Sequence, residues 1–262
     1  MPLEAPGTVT LVGAGPGDPE LLTLKAIKAI ASATLLMVDD LVNDAVLGYA
    51  SPQARIVHVG KRGGCISTPQ SFIERLMIMA ARQGETVVRL KGGDPFIFGR
   101  GGEEVEYLRA AGITVRIVNG ITAALAAASS LETPLTHRDR AHGVVFVTGH
   151  AKPGAANTHW AALAACAHEA QLTLVIYMGV THITTIEQGL LQGLPAHTPA
   201  AIVEHASLPQ QRQTRCLLGN LAQTLQMQGL GSPSILVVGD VLQGMAQWHE
   251  NASAGHQLYA QR

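Results

Sequence analysis

Short apolar, β-branched runs alternate with longer helical patterns along most of this chain. Helical crossovers join parallel strands, so the alternation predicts an α/β fold with a largely parallel sheet. In the first half, the predicted strands are Thr8–Val12, Thr34–Val38, Arg55–Val59, Thr86–Leu90 and Thr114–Val118. The predicted helices there are Pro19–Ala31, Gln70–Arg82, Gly102–Ala111 and Ile121–Ser130. On the second of these helices, periodicity predicts a buried face of Phe72, Leu76, Met79 and Ala80.

A polar, irregular stretch at Glu132–His142 interrupts this rhythm and predicts a domain boundary. We therefore expect one α/β domain over 1–132 and a second over 133–247. Residues 248–262 lack periodicity and are predicted to form a flexible tail. The predicted strands of the second domain are Val144–Thr148, Leu172–Met178, Ala200–Glu204, Gln213–Leu218 and Ile235–Val238, and its helices are His159–His168, Thr181–Gln192 and Leu221–Gln228. The closely spaced last strands predict a mixed sheet.

Composition and charge exclude several classes of protein. Hydrophobic residues make up 47% of the 262 residues and charged residues 14%, which suits a sizeable core and not a disordered chain. The net charge of -1 disfavours a nucleic-acid binder. Polar residues interrupt the apolar stretches Ala26–Val38 and Leu163–Val180, so we expect no membrane span. The N-terminal segment has no apolar signal-peptide core. The sequence therefore predicts a soluble cytoplasmic protein.

Cysteine and histidine usage gives no metal signature. Cys65, Cys166 and Cys216 are far apart and form no Cys-x-x-Cys pair. The 11 histidines include no His-Glu-x-x-His motif and no tight cluster. We therefore expect neither a disulfide framework nor a metal site.

A glycine-rich turn, GAGPGD at 13–18, lies between a predicted strand and a predicted helix. A dinucleotide fingerprint requires glycine at the position of Asp18, and Pro16 removes one amide donor, so this turn does not favour NAD. Two interpretations remain open. Either the segment is a tight turn in which Asp18 caps the following helix, or it binds a small molecule.

Two further segments lie where parallel strands end. Asp39 and Asp40 follow the second strand, at the sheet edge where α/β folds bind ligands, although an N-cap for the next helix is an equal alternative. The segment 89–104, RLKGGDPFIFGRGGEE, combines five glycines, two phenylalanines and flanking cations. Gly92 and Gly93 permit positive φ and close backbone approach. Such a density of special residues indicates a binding loop.

The motifs VGAGPGDPELLTLKA, VGKRGG, VVRLKGGDPFIFGRGGEE, GITAA and TPLTHRD occur in this order and spacing. They resemble the uroporphyrinogen-III C-methyltransferases of the tetrapyrrole methylase superfamily, over about Thr8 to Val241. The resemblance implies two α/β domains with the active site in the cleft between them, in a homodimer and in the stand-alone form. It implies methylation of uroporphyrinogen III at carbons 2 and 7 by S-adenosyl-L-methionine, giving precorrin-2 and S-adenosylhomocysteine, without a metal.

The resemblance also assigns residues. Those of the family's cofactor site are Pro16, Gly92, Gly93, Asp94, Ile97, Thr122, Ala123, Met178, Ala206 and Ser234. Asp39 matches the family's proposed proton acceptor and Lys61 its proton donor. Arg100, Glu103 and Arg138 match the residues that line the tetrapyrrole cavity, and Arg100 and Glu103 are also catalytic candidates.

The chemistry itself narrows the catalytic groups. Methylation leaves a cationic ring that must lose a proton, so one base is required. Asp39, Glu103 and an arginine–carboxylate pair all remain candidates. The substrate carries several carboxylates, for which arginines are suitable bidentate partners. The arginines available are Arg62, Arg89, Arg100, Arg138 and Arg140. A relative with another tetrapyrrole or ribosomal RNA as substrate, or a non-catalytic nucleotide-binding regulator, remains an alternative.

Overall fold

The computed structural model describes residues 7–60, 69–150 and 158–243. The chain folds into two compact units, with the division between Ala123 and Ala124. The sequence places the domain boundary after Glu132, at the other end of one helix, and that assignment stays a prediction. Among the described residues, no helix has the length and apolar character to cross a bilayer.

The first unit contains a parallel sheet of five strands in the order β3-β2-β4-β1-β5. The strands are β1 (Thr8–Gly13), β2 (Leu35–Val38), β3 (Arg55–His58), β4 (Val87–Lys91) and β5 (Thr114–Val118). The helices are α1 (Leu24–Ala31), α2 (Gln70–Arg82) and α3 (Gly101–Ala110), with 3-10 turns at Pro19–Leu21 and Asp44–Tyr49. This arrangement confirms the predicted parallel α/β fold.

Both faces of this sheet are covered, which explains the continuous apolar runs in its central strands. On one face, Val9 and Leu11 of β1 belong to a cluster with Met77 of α2 and Leu108 of α3. On the other face, Leu36 and Leu90 belong to a cluster with Ile30 of α1. The helices thereby leave the carboxyl ends of the strands free for loops.

The second unit contains a mixed sheet in the order β6-β7-β10-β8-β9. The strands are β6 (Gly143–Thr148), β7 (Leu172–Tyr177), β8 (Pro199–Glu204), β9 (Arg212–Leu217) and β10 (Ser234–Val238). β6 and β7 are parallel, whereas β10 runs antiparallel to both β7 and β8. The helices are α4 (Ala123–Ser130), α5 (Trp160–Glu169), α6 (Ile183–Leu190) and α7 (Leu221–Met227). The predicted mixed sheet is confirmed.

Two local predictions were wrong. The segment predicted as one helix, Pro19–Ala31, is a 3-10 turn followed by α1, because the Thr23 hydroxyl accepts a hydrogen bond from the Ala26 amide and starts a new helix there. On α2, Phe72 and Met79 are 48% and 58% exposed. The predicted Ala80 is buried and Leu76 packs against the core, but the rest of the buried face is Ile73, Glu74, Met77 and Ala81.

Candidate active site

Four loops follow β1, β2, β4 and β5 at the carboxyl edge of the parallel sheet. They span residues 14–18, 39–43, 92–100 and 119–122. Open α/β sheets bind their ligands at this edge. The first unit therefore collects the motifs GAGPGD, Asp39-Asp40 and GGDPFIFGR in one place.

The loops after β1 and β4 are joined directly through their backbones. The Gly93 amide donates to the Gly15 carbonyl at 2.7 Å, and the Gly15 amide donates to the Gly93 carbonyl at 3.2 Å. The Asn43 side-chain amide also donates to the Gly17 carbonyl at 2.8 Å, which ties in the loop after β2. We call the reciprocal backbone contact the Gly15–Gly93 bridge.

Glycine is required in these loops because backbones pack against backbones. A Cβ on Gly13 would lie 2.5 Å from the Gly120 nitrogen. A Cβ on Gly120 would overlap the Gly93 carbonyl oxygen and lie 2.8 Å from the Gly13 carbonyl carbon. Gly93 has a φ of +67°, which favours glycine, yet a Cβ there would meet no atom closer than 3.7 Å. Gly93 is partly buried, and a Cβ there would make only ordinary van der Waals contacts, so its positive φ and not a lack of space favours glycine.

Asp94 organises the same loops. It is 7% exposed, and its carboxylate accepts three hydrogen bonds, from the Phe96 amide at 2.8 Å, the Asn119 side chain at 3.1 Å and the Gly120 amide at 3.1 Å. These partners belong to the loops after β4 and β5. Asp94 therefore holds the Gly93 turn in shape, a role that sequence reasoning did not predict.

Asp18 has the capping role that one of the two interpretations of the first loop predicts. Its carboxylate accepts a hydrogen bond from the Glu20 amide at 2.9 Å, at the start of the 3-10 turn Pro19–Leu21. The predicted capping role is therefore confirmed. Asp39 and Asp40, by contrast, do not cap the next turn, because Asn43 does so by accepting from the Ala45 amide at 3.0 Å.

Asp39 lies at the carboxyl end of β2, and its side chain is 37% exposed. Its Oδ1 accepts from the Asp40 amide at 3.1 Å, and its Oδ2 accepts from Arg89 Nη2 at 3.2 Å. The Asp39 amide donates to the Leu90 carbonyl of β4. Asp39 is thus fixed from both sides while one part of its carboxylate reaches the surface.

Arg89 contradicts the expectation that it binds substrate carboxylates. It lies in the central strand β4, is 2% exposed and contacts both Asp39 and Glu104. Lys91, two residues further along β4, is 3% exposed and contacts Glu104 Oε1 at 3.0 Å. Burial lowers the pKa of Lys91, and the neighbouring Arg89 cation lowers it further. These two cations are internal.

Arg100 and Glu103 form a second, exposed pair at the start of α3. Arg100 Nη2 lies 2.6 Å from Glu103 Oε2, and Arg100 Nε lies 3.1 Å from Glu103 Oε1. Their side chains are 54% and 57% exposed. The hydrogen bond to Glu103 raises the pKa of Arg100, which makes the guanidinium alone still less suited to act as a base. The pair is accessible to an anionic ligand.

Three of the expected cofactor residues lie at one edge of the second sheet. Met178 follows β7, Ala206 follows β8, and Ser234 begins the antiparallel β10 between them. Met178 is 49% exposed and has a φ of 53°, and both neighbours of Ala206, His205 and Ser207, also have positive φ. Strained backbone of this kind clusters at functional sites.

The remaining site predictions are placed as follows. Thr122 is 7% exposed, and Pro16, Ile97 and Ala123 are partly exposed at or next to the loops of the first unit. Arg138 is exposed in the turn between α4 and β6. Lys61 and Arg62 lie outside the described residues. No group of three or more potential ligand side chains capable of holding a metal ion occurs among residues 7–60, 69–150 and 158–243.

Sequence reasoning missed Glu104, which is fully buried and accepts hydrogen bonds from Arg89, Lys91 and Gln70. The sequence of β4 contained a signal for such a residue. Two cations in an otherwise apolar central strand require a buried anion nearby, since an unpaired buried charge is very costly.

Comparison with known proteins identifies the family. The family model of Tetrapyrrole (Corrin/Porphyrin) Methylases matches residues 8–222. The chain belongs to this family. The predicted fold and the predicted family are therefore confirmed, and the two sheets described above are those of a tetrapyrrole methylase.

Relatives within the tetrapyrrole methylases are more specific. The chain is 54% identical to a uroporphyrinogen-III C-methyltransferase of Pseudomonas aeruginosa, over 90% of this chain and 94% of the relative. It is 46% identical to siroheme synthase 1 of Aeromonas hydrophila, over 96% of this chain and 54% of that longer protein.

A solved structure of uroporphyrin-III C-methyl transferase from Thermus thermophilus, complexed with S-adenyl homocysteine, is 40% identical. The match covers 90% of this chain and 99% of that one, with a TM-score of 0.76.

Proposed function

We propose that this chain is an S-adenosylmethionine-dependent uroporphyrinogen-III C-methyltransferase. It methylates carbons 2 and 7 of uroporphyrinogen III and yields precorrin-2 and S-adenosylhomocysteine. The observation that carries this proposal is the Gly15–Gly93 bridge, which lies at the same sheet edge as Asp39 and the Arg100–Glu103 pair. The 54% identity to a relative of this name supports the same assignment.

The loop residues fit S-adenosylmethionine, which supplies a methyl group activated on a cationic sulfur. The partly exposed backbone of Gly93 and the partly exposed apolar side chain of Ile97 lie on the same loop. Rigid loops suit this reaction, because catalysis of transfer between an activated donor and an electron-rich carbon is mainly positioning and exclusion of water. The residues proposed to bind the cofactor are Pro16, Gly92, Gly93, Asp94, Ile97, Thr122, Ala123, Met178, Ala206 and Ser234.

Asp39 is the proposed proton acceptor. A methylated pyrrole ring is cationic and must lose a proton, and a carboxylate within hydrogen-bonding reach serves as the base. The Asp39 side chain is partly exposed and oriented by Arg89, so it is both reachable and fixed. Lys61 is the proposed proton donor on the basis of the family resemblance.

Arg100, Glu103 and Arg138 are the proposed tetrapyrrole contacts. Arg100 and Arg138 are exposed and can each hold a substrate carboxylate through two parallel hydrogen bonds. Glu103 orients Arg100, and because the pair is exposed, Arg100 can exchange Glu103 for a substrate carboxylate. Arg100 belongs to the first unit and Arg138 to the second, and each guanidinium is a suitable partner for a carboxylate of an acidic substrate.

The test is anaerobic incubation of the protein with methyl-labelled S-adenosylmethionine and uroporphyrinogen III. The expected product carries two added methyl groups by mass and contains the label. Coproporphyrinogen III, which has fewer carboxylates, is the matched control and is expected to accept little label. Absence of transfer to uroporphyrinogen III, or equal transfer to both compounds, would contradict the proposal.

We also propose that the enzyme works as a cytoplasmic homodimer. The support is the family resemblance. Light scattering after size-exclusion chromatography is expected to give twice the mass of one chain. A monomeric mass in the active preparation would contradict the dimer.

A further inference from the structure

The sheet of the first unit buries two cations at its centre. Arg89 and Lys91 are two residues apart on β4, so their side chains leave the same face of the sheet. They are 2% and 3% exposed. Cations buried this deeply persist only when anions and hydrogen-bond acceptors compensate for the lost water.

Glu104 supplies the buried anion. It belongs to the first turn of α3 and is fully buried. Its Oε1 accepts from Lys91 Nζ at 3.0 Å, from Gln70 Nε2 at 3.0 Å and from Arg89 Nε at 3.3 Å. Its Oε2 is buried and has no hydrogen-bond partner among the described residues. Glu104 therefore joins α2, α3 and β4 through one oxygen.

Arg89 transmits this anchoring to the sheet edge. Its Nη1 donates to the Met37 carbonyl at 3.4 Å and to the Leu90 carbonyl at 3.2 Å, while its Nη2 donates to Asp39 at 3.2 Å. Because the guanidinium is planar, contacts that fix Nε and Nη1 also fix the direction in which Nη2 donates its hydrogen bond. The Asp39 oxygen that receives this hydrogen bond is thereby fixed.

The resulting arrangement is a line of alternating charges with one accessible end. Lys91, Glu104 and Arg89 are buried, and Asp39 is 37% exposed. Asp39 also compensates the second buried cation, yet unlike Glu104 it is partly exposed, at the edge of the sheet where α/β folds bind their ligands. Replacing such a cluster by apolar residues is often neutral or stabilising, so stability alone does not explain it.

We propose that Glu104 is a positioning residue that orients the Asp39 carboxylate, through Arg89, for proton removal. The inference rests on the proposed function, because it assigns Glu104 a role only if Asp39 is the proton acceptor. Glu104 touches neither substrate nor cofactor in this scheme. Its contribution is a fixed direction for the oxygen of Asp39, which lowers the cost of reorganisation when the proton is transferred.

The test is a double-mutant cycle with Glu104→Gln and Asp39→Asn, measured as kcat at saturating concentrations of both substrates. We expect Glu104→Gln alone to lower kcat by about 10–100-fold, a part of the roughly 10²–10⁴-fold that general acid–base catalysis contributes. In the Asp39→Asn background, the same change is expected to lower kcat by less than about 3-fold, since the two residues act together. The affinity for S-adenosylmethionine and the KM for the porphyrinogen are expected to stay within about 2-fold.

Glu106→Gln is the matched control. Glu106 is exposed on the same helix, so the change removes the same charge without touching the buried line. It is expected to keep the wild-type kcat. If Glu104→Gln melts below the assay temperature, Arg89→Lys replaces it in the cycle, because lysine keeps the charge but cannot contact Glu104 and Asp39 with one rigid fork.

The outcomes separate the two proposals. A wild-type enzyme that transfers no methyl group overturns the proposed function and this inference with it. An active wild type in which Glu104→Gln keeps its kcat overturns the inference alone. Equal loss of kcat in the wild-type and Asp39→Asn backgrounds has the same consequence, because it shows that Glu104 acts on the fold and not through Asp39.

Discussion

Glu103 and Glu104 are neighbours in the first turn of α3, and each contacts an arginine, but the two contacts differ in kind. The Arg100–Glu103 pair is more than half exposed, and its geometry is close to bidentate. The Arg89–Glu104 pair is buried under the sheet, at a longer distance of 3.3 Å. An exposed pair contributes little to stability and remains free to exchange partners, whereas a buried pair is costly to break. Burial, more than distance, separates the exposed pair from the buried one.

The largest expected effect comes from breaking the buried pair. Glu104→Ala leaves Arg89 and Lys91 without their shared anion, so the free energy of unfolding is expected to fall by about 3–5 kcal/mol. Glu103→Ala, its neighbour on the helix, is expected to cost less than about 1 kcal/mol. Urea unfolding followed by circular dichroism measures both. Equal losses would show that burial does not distinguish the two pairs.

Loop packing at the same edge offers a second contrast. Gly120→Ala places a Cβ against the Gly93 carbonyl oxygen, so it is expected to separate the loops and lower S-adenosylmethionine affinity at least about tenfold, equivalent to 1.4 kcal/mol. Gly102→Ala, at the exposed start of α3, meets no atom within 4 Å and is the control. It is expected to leave affinity unchanged. Isothermal titration calorimetry decides, and near-native affinity of Gly120→Ala would refute the packing argument.

The exposed pair is expected to matter for the substrate instead. Arg100→Lys keeps the charge but loses the fork that holds a carboxylate, so we expect weaker use of uroporphyrinogen III with nearly unchanged S-adenosylmethionine affinity. Arg138→Lys is expected mainly to raise KM, while Arg100→Lys also lowers kcat if the Glu103 contact supports proton removal. Anaerobic steady-state kinetics with each substrate varied in turn measures this. Wild-type kinetics for both variants would place the tetrapyrrole elsewhere.

The pKa of Glu74 depends on charged residues of both pairs, so the pH dependence of stability offers a further test. Burial raises the pKa of Glu74, and the nearby Glu104 and Glu103 carboxylates add to this effect. The folded state therefore binds this proton more tightly than the unfolded chain does, and ionised Glu74 costs stability at neutral pH. Glu74→Gln is expected to stabilise the protein at pH 7, by an amount that shrinks as the pH falls through the raised pKa towards 4.5, the ordinary glutamate value.

Glu85 is the control, because its pKa is shifted in the opposite direction. Hydrogen bonds from Thr34 and Arg55 lower the pKa of Glu85, so its stabilising contribution is present above pH 4.5 and is lost as the pH falls further. Glu85→Gln is therefore expected to destabilise the protein at pH 7. Thermal melts of both variants from pH 7 to pH 4 test the pair. Shifts of the same sign at neutral pH would contradict the assignment.

A modest effect, confined to stability, is expected at Asp18. Its carboxylate caps a 3-10 turn, so Asp18→Ala is expected to cost at most about 0.5–2 kcal/mol, the range for lost helix caps. S-adenosylmethionine affinity is expected to stay unchanged. A large loss of affinity at an unchanged melting temperature would show that the first glycine loop contacts the cofactor through Asp18.

The sequence was sufficient for features that depend on local pattern. The strand rhythm predicted both sheets, and the glycine motifs predicted loops that the structure joins at the Gly15–Gly93 bridge. It was insufficient where the rotation of a helix about its axis decides which side chains are buried. Glu103 and Glu104 differ by about 100° around the axis of α3, and both suit a first helical turn, so sequence alone does not show which one is buried. For the same reason, the predicted buried face of α2 included Leu76 and Ala80 correctly but took Phe72 and Met79 in place of Ile73 and Met77.

The most direct test of the account compares Asp39→Asn with Glu103→Gln under anaerobic, saturating conditions. Both changes remove one carboxylate at the same sheet edge, but only Asp39 is held by the buried line of charges. We expect Asp39→Asn to lower kcat by about 100-fold or more, with S-adenosylmethionine affinity retained, and Glu103→Gln to have a clearly smaller effect. Wild-type turnover by Asp39→Asn, or a larger loss with Glu103→Gln, would contradict the assignment of Asp39 as the proton acceptor.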